Sequence, residues 1–253
     1  MGFEYLTNVP LAQARKEYLE RLVSGGFGSK TETIPVFESC GRVTAKAVYA
    51  HICAPHYAAS AMDGVAVSAK ETFGATETTP VTLKPDQFLV LDTGDPIPED
   101  KDAVIMVEDI VKNGDGSITI HAAAAPWQHI RQIGEDICAG EMILPSHMTV
   151  SPAAIGAMIA GGVLEIEVIR KPVVGIIPTG DEIIPPCTDP KPGDILEFNG
   201  SIFSAMVRSW GAEAVVYPIV PDKFDQIKEM VAKAADACDM VILNAGSSAG
   251  RED

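Results

Sequence analysis

Two short loops place chemistry-bearing residues where an open α/β sheet would use them. Pro178-Thr179-Gly180-Asp181-Glu182 sets two carboxylates directly after an apolar run. Such a pair can hold a divalent cation or a ligand hydroxyl. In the second loop, Asn244 to Gly250 (NAGSSAG), Gly246 and Gly250 permit close backbone approach and Ser247 and Ser248 offer hydroxyl donors. A phosphate cradle requires both properties. Taken alone, either loop reads equally well as a tight turn. Ligands of open α/β sheets bind beyond the carboxyl ends of the strands, so two such loops on one sheet edge point to a site.

A second group of turns lies earlier in the chain. Ser60-Ala61-Met62-Asp63-Gly64 carries one carboxylate, and Thr93-Gly94-Asp95-Pro96 a hydroxyl and a carboxylate. Arg131 precedes Gly134-Glu135-Asp136 and can supply the positive charge that a phosphate needs. Each of these, taken singly, reads more readily as a solvated turn, since Asp, Gly and Thr are ordinary turn residues. His51, Cys53 and His56 lie close in sequence, but their spacing matches no zinc motif, and they read as packed or surface residues. Walker-type, Rossmann-type and HExxH patterns are missing, which removes the common nucleotide and metalloprotease readings.

The elements that must position these turns follow from periodicity. Leu11, Ala14, Tyr18 and Leu22, joined by Leu19 and Val23, predict a helix that starts at Pro10 and stops at Gly25-Gly26. Thr33 to Phe37 reads as extended. Residues 46–146 hold short β-like runs (VTLK, QFLVLDTG, DAVIMVEDI, SITIHAA) broken by turn residues. Ser151, Pro152 and Gly161-Gly162 predict a capped helix. From Lys171 the pattern becomes β-α-β-α-β. Pro172 to Ile177 reads as a strand buried on both faces, and a helix follows over about 201–210. After the strand AVVYPIV comes a helix capped by Asp222, with Phe224, Ile227, Met230, Val231 and Ala234 inward, and then DMVIL. The alternation implies a parallel sheet with right-handed crossovers.

The predicted fold class is therefore α/β plus β-rich: residues 1–45 as an N-terminal helix and linking segment, 46–146 as an inserted β-rich domain, 147–170 as the returning link, and 171–253 as an α/β domain. Three strands are few for such a domain, and no helix follows NAGSSAG. The expectation is a chain that stops before this fold is complete. A short protein with an exposed sheet edge is the alternative.

The chain has 253 residues, 47% of them hydrophobic and 21% charged, enough for a sizeable core and against wholesale disorder. No apolar run reaches the roughly 18 residues that span a bilayer, and the N-terminus lacks the pattern of a secretory signal. Five scattered cysteines without a CxxC pair suit reduced thiols. A cytoplasmic protein without a membrane partner is expected. The net charge of −16 argues against nucleic acid and obliges any anionic ligand to use backbone amides, local Arg or Lys, or a metal.

In order, the pieces SAMDGVAV, DTGDPIPEDKDAVIMVED, IRQIGEDICAGEMIL, VGIIPTGDEI and NAGSSAGRED resemble the MoeA and gephyrin E-domain family, the molybdenum insertases. The resemblance runs from about residue 40 to the end, and five pieces in register make it specific. It implies an elongated homodimer, with a molybdopterin-binding-like α/β domain and an inserted β-rich domain ahead of it. The implied activity inserts molybdate into adenylylated molybdopterin with release of AMP, with Mg²⁺ as cofactor. The site is expected between the α/β domain of one subunit and the inserted domain of the other, and other molybdenum-cofactor biosynthesis proteins are possible partners.

Carried over residue by residue, the resemblance implies catalytic roles for Asp63, Thr93, Asp136 and Glu182. It implies substrate contacts for Arg131, Thr179, Gly180, Gly246, Ser247, Ser248 and Gly250, and a metal set of Asp181, Glu182 and Asp253. Val65 stands where the family usually has tyrosine, and NAGSSAG replaces a GGVS-type loop. A non-catalytic molybdopterin-binding module and a scaffold are the alternative readings.

Overall fold

The computed structural model describes residues 9–244. The fold is mixed α/β, with mostly antiparallel sheets, one three-stranded parallel sheet and a short parallel pair. The chain forms two compact units. One joins the segment up to Glu32 to that from Ile169 onward; the other is the excursion Thr33–Val168.

The first helix, α1 (Leu11–Ser24), begins directly after Pro10, as predicted. Its apolar positions form the expected stripe, yet none of its residues is buried, and Leu11, Tyr18, Leu19 and Val23 face solvent.

In the excursion, β1 (Thr31–Pro35) and β12 (Glu165–Ile169) pair, as do β2 (Val48–Tyr49) and β11 (Met142–Leu144). With α2 (Pro152–Ala160) they enclose a core of Val36, Val48, Val150, Met158, Val163, Ile166 and Val168. Helix α2 starts as the sequence indicates: Pro152 opens it, and the Ser151 hydroxyl accepts a hydrogen bond from the Ala154 amide at 3.2 Å. Ser151→Ala leaves that amide without its cap and is expected to cost the unit about 1 kcal/mol. Urea unfolding would measure this.

Strands β3 (Ala59–Ser60) and β10 (Ile130–Arg131) pair antiparallel. Strand β4 (Gly64–Val67) is the centre of a sheet, with β6 (Phe88–Leu91) and β7 (Ala103–Met106) on its two sides. A second sheet holds β5 (Val81–Leu83), β9 (Ile118–Ile120) and β8 (Ile110–Lys112) in that order. Side chains alternate across a strand. Val65 and Val67 thus enter a core shared with Leu83, Ile105, Ile118 and Ile120, while Ala66 packs with Leu91, Val104 and Ile130 on the other face.

In the other unit, β13 (Val173–Pro178) lies between β16 (Glu213–Val216) and β17 (Met240–Asn244), parallel to both. Helix α3 (Asn199–Ser209) leads from β13 towards β16 by way of the short parallel pair β14 (Ile183–Ile184) and β15 (Ile195–Leu196). Helix α4 (Phe224–Ala237) carries the chain from β16 across to β17. The central strand is buried at Val174, Ile176 and Ile177, as its apolar run predicts.

Two local expectations are corrected. Asp222 does not cap α4: the helix begins two residues later, and Lys223 holds the cap position without a side-chain bond. Phe224 is 78% exposed. Being the first residue of α4, it projects beyond the patch where Ile227, Met230, Val231 and Ala234 pack on Ile177 and Val220. Among the described residues no helix is long and apolar enough to cross a membrane.

Candidate functional site

In the excursion, three turns singled out by sequence meet at Ser60. Its position in β3 pairs with Ile130 of β10, and Ala59 pairs with Arg131. The Ser60 amide donates to the Asp95 carbonyl at 2.9 Å, and its carbonyl accepts from the Gly94 amide at 2.9 Å. The Ala61 amide donates to the His129 carbonyl. Turns that read singly as solvated loops therefore form one cluster around a fully buried serine. Sequence singled out Ser60 only as part of its turn. Nothing local marks it as the hub, because its partners lie more than 30 residues away.

Asp63 fastens two of these turns together. Its Oδ1 accepts from both the amide and the hydroxyl of Thr93, each at 2.7 Å. The Thr93 hydroxyl, then its amide, hold the carboxyl below the ordinary aspartate range, because both donors stabilise the charged form. Arg131 is already engaged: its Nη2 lies 2.5 Å from Asp136 Oδ2, and its Nε 3.5 Å from Glu135 Oε1. Asp136, with Glu135 adding to it, raises the guanidinium pKa. The turn thus carries one more negative charge than positive. Val65, the departure from the family's tyrosine, is 1% exposed and belongs to the core rather than to the turn.

His51, Cys53 and His56 have separate surroundings. A ring nitrogen of His51 is 3.2 Å from the Gly162 carbonyl, the His56 ring meets Tyr57 edge-on, and Cys53 Sγ accepts from the Ala139 amide.

In the other unit the candidate residues gather at the carboxyl edge of the parallel sheet. Thr179 directly follows β13 and is buried. Its amide and hydroxyl both donate to the carbonyl of Asn244, at 3.0 and 3.1 Å. On the other side Thr179 bridges to Val220, whose carbonyl accepts from the Gly180 amide at 3.2 Å. The PTGDE turn is thereby tied to both neighbouring strands. The strand order puts β13 between the second and third strands of the unit, so the chain reverses its direction of winding between β13 and β17. A doubly wound sheet opens its ligand crevice at such a point.

Gly180 has φ +144°, and a Cβ there would stand 2.6 Å from Ile183 Cγ1 and 3.2 Å from a Glu182 carboxylate oxygen. The turn therefore needs glycine, and Glu182 folds back over it. Asp181 Oδ1 accepts from the Asp222 amide at 3.3 Å. The β14–β15 pair also brings in a carboxylate that the sequence reading missed. Glu197 Oε1 accepts from the Gly200 amide at 2.5 Å in the first turn of α3. An acidic residue just before a helix start is the signal that would have found it. Gly180, Asp181, Glu197 and Tyr217 line one open cleft of about 610 Å³. Gly246, Ser247, Ser248, Gly250 and Asp253 lie outside the described residues.

Asp181 and Glu182 have the oxygen donors that a Mg²⁺ half-site uses. Magnesium is ordinarily held by one or two carboxylates together with substrate phosphates and water. Among the described residues no three acidic, His or Cys side chains gather as a complete cage.

Architecture and site together define a protein with a ligand-type edge on a parallel sheet and a separate β-rich unit with its own carboxylate and hydroxyl cluster. Residues 9–162 match the family described as "MoeA N-terminal region (domain I and II)", and residues 175–253 match "Probable molybdopterin binding domain". The chain belongs to the MoeA family. Molybdopterin molybdenumtransferase 2 of Mycobacterium tuberculosis is 34% identical over 234 residues, which cover 86% of this chain and 58% of that protein. The molybdopterin molybdenumtransferase of Haemophilus influenzae is 30% identical over 255 residues, 96% of this chain and 62% of that one. A crystal structure of the molybdopterin biosynthesis MoeA protein from Pyrococcus horikoshii is similar with a TM-score of 0.76 at 31% identity, covering 92% of this chain and 66% of the other. The chain thus spans about three fifths of the curated relatives it matches.

Proposed function

We propose that this chain carries the carboxylate and hydroxyl part of a molybdopterin site, and that its protein inserts molybdate into adenylylated molybdopterin with release of AMP. The observation that carries this reading is the double hydrogen bond from Thr179 to the Asn244 carbonyl. It joins the PTGDE turn to the start of the glycine- and serine-rich loop at the carboxyl edge of the sheet, the edge at which such sheets take phosphate-bearing ligands. The names of the relatives support the same chemistry.

In this reading the loop amides and the hydroxyls of Ser247 and Ser248 face the pterin phosphate. Asp181, Glu182 and Asp253 hold Mg²⁺ together with substrate oxygens, and the ion supplies charge neutralisation at the phosphates when bound. Asp63 and Thr93 orient the water that attacks the adenylate. With both Thr93 donors lowering its basicity, Asp63 acts as a hydrogen-bond acceptor rather than as a store for a proton. Arg131 reaches phosphate only by sharing its guanidinium with Asp136 and Glu135. The protein acts as a cytoplasmic homodimer. The solvent-facing apolar stripe of α1 supports association.

Calorimetry with adenylylated molybdopterin and Mg²⁺ tests the site. Measurable binding that weakens in Asp181→Asn is expected, and no heat at millimolar ligand sinks the reading. Release of AMP on adding molybdate tests the reaction. Thr93→Val deletes one donor to Asp63 and keeps the amide bond, and is expected to weaken binding roughly fivefold, about 1 kcal/mol.

A further inference from the structure

Cys53 and Cys138 are 85 positions apart in sequence, yet the fold sets them opposite one another. Backbone bonds tie together the two segments that carry them. Tyr49 pairs with Met142, the Ala50 amide donates to the Glu141 carbonyl, and Ala54 pairs with Ile137. Ala54 and Ile137 exchange both backbone hydrogen bonds, at 2.8 and 3.0 Å. Cys53 and Cys138 directly adjoin this pair, Cys53 before Ala54 and Cys138 after Ile137.

The two sulfurs converge on the same turn. Cys53 Sγ accepts from the Ala139 amide at 3.3 Å, directly beside Cys138. Both sulfurs crowd the same point: a Cβ added to Gly134 would stand 3.1 Å from Cys138 Sγ and 3.5 Å from Cys53 Sγ. Gly134 itself has φ +75° and lies in the turn between Arg131 and Asp136. That turn is held to the Cys53 strand by the bonds from the Gly134 amide to Pro55 and from the Asp136 amide to Ala54. Cys138 is exposed and Cys53 partly so, which leaves the pair open to small reagents.

We infer that Cys53 and Cys138 form a redox-modifiable dithiol that closes to a disulfide by exchange with a small-molecule disulfide, pinning the base of the Arg131–Asp136 turn. The inference rests on geometry alone and is independent of the molybdopterin reading. The thiolate of Cys138 attacks the small disulfide, forms a mixed disulfide and expels one thiolate. The thiolate of Cys53 then attacks the Cys138 sulfur and expels the second. Two protein thiols lose two protons and two electrons in all, and one small disulfide becomes two thiols.

The test uses the 253-residue chain, fully reduced and then equilibrated with oxidised and reduced glutathione in graded ratios. Remaining thiols are alkylated and the peptides are read by mass spectrometry. A Cys53–Cys138 linked peptide is expected at ratios where the exposed Cys40 and Cys187 carry at most single glutathione adducts. In Cys53→Ser, Cys138 has no resolving thiol, and its mixed disulfide with glutathione should accumulate at least tenfold over the unmutated chain. Cys40→Ser should leave the link unchanged. The inference is overturned if Cys53 and Cys138 remain separately alkylated while Cys40 and Cys187 are modified. It also fails if Cys138 holds its glutathione adduct equally with and without Cys53.

Discussion

Gly64→Ala is expected to cost the excursion about 3 kcal/mol or more, the upper end of what forced overpacking costs. The methyl group would stand 2.0 Å from the Ile105 carbonyl oxygen and 2.9 Å from its carbon. These are backbone atoms of β7, paired in register with β4. They cannot yield as a flexible side chain would. Ile105 and Val104 anchor β7 in the cores on its two faces, and any retreat of β7 opens both. The chain's two tryptophans divide between the units, Trp127 in the excursion and Trp210 after α3, so a Trp210→Phe background reports unfolding of the excursion alone. Gly114→Ala is the matched control: nothing lies within 4 Å of its Cβ position, and the change should stay within about 0.5 kcal/mol. Equal urea midpoints for the two variants would refute the steric account. The result also separates two roles in the SAMDG turn. Gly64 admits the neighbouring backbone, and Asp63, whose carbonyl accepts from the Val107 amide, is left to present its carboxylate to Thr93.

What could be read from sequence was whatever periodicity or local chemistry encodes. Val174, Ile176 and Ile177 announce a strand buried on both faces, because no alternation interrupts them. Ser151 and Pro152 announce α2, because capping is a bond between residues three apart. The two loops at one sheet edge follow from the β-α-β-α-β order, and the Thr179–Asn244 bonds join them as the topology implies. Long-range meetings carry no local signal. Ser60 gathers turns from 30 and 70 residues away, and Cys53 and Cys138 come near one another only in the folded chain. Spacing misleads where a residue's place along a helix outweighs its pattern. Phe224 has the right spacing for the inner face of α4 but lies at its end. Arg131 offers a positive charge by its type, and Glu135 and Asp136, four and five residues on, pair with it. That pairing was visible in the sequence.

Asp239→Ala should destabilise the α/β unit by about 2–3 kcal/mol at neutral pH, and the loss should fade in acid. Asp239 sits where α4 gives way to β17, and its carboxylate gathers three groups at the amino end of the sheet. Lys30 Nζ lies 2.8 Å from its Oδ1, Arg170 Nη2 2.7 and 2.5 Å from its two oxygens, and the Val173 amide 2.8 Å from Oδ2. Lys30 and Arg170 flank the excursion, so the segments where the chain leaves and re-enters this unit are both tied to one carboxylate. Lys30, then the Val173 amide, with Arg170 adding to them, hold its pKa at about 2. Against the ordinary 3.8, that shift corresponds to roughly 2 kcal/mol at most. The carboxylate is only 12% exposed but Lys30 is 67% exposed, so screening reduces the ionic part to about 1–2 kcal/mol. Alanine also leaves the Val173 amide and a partly buried Arg170 without their acceptor, adding about 1 kcal/mol. The sign follows from the depressed folded value. The stabilisation is complete above the unfolded pKa near 3.8 and is lost as pH falls through the folded value near 2. Asp239→Asn keeps one acceptor oxygen but not the charge. Its stability gap to the unmutated chain, read from Trp210 in a Trp127→Phe background, should be full at pH 7 and should narrow between pH 4 and pH 2.5. A gap that holds constant across that range would mean that packing, and not the ionised carboxylate, ties Lys30 and Arg170 to the sheet.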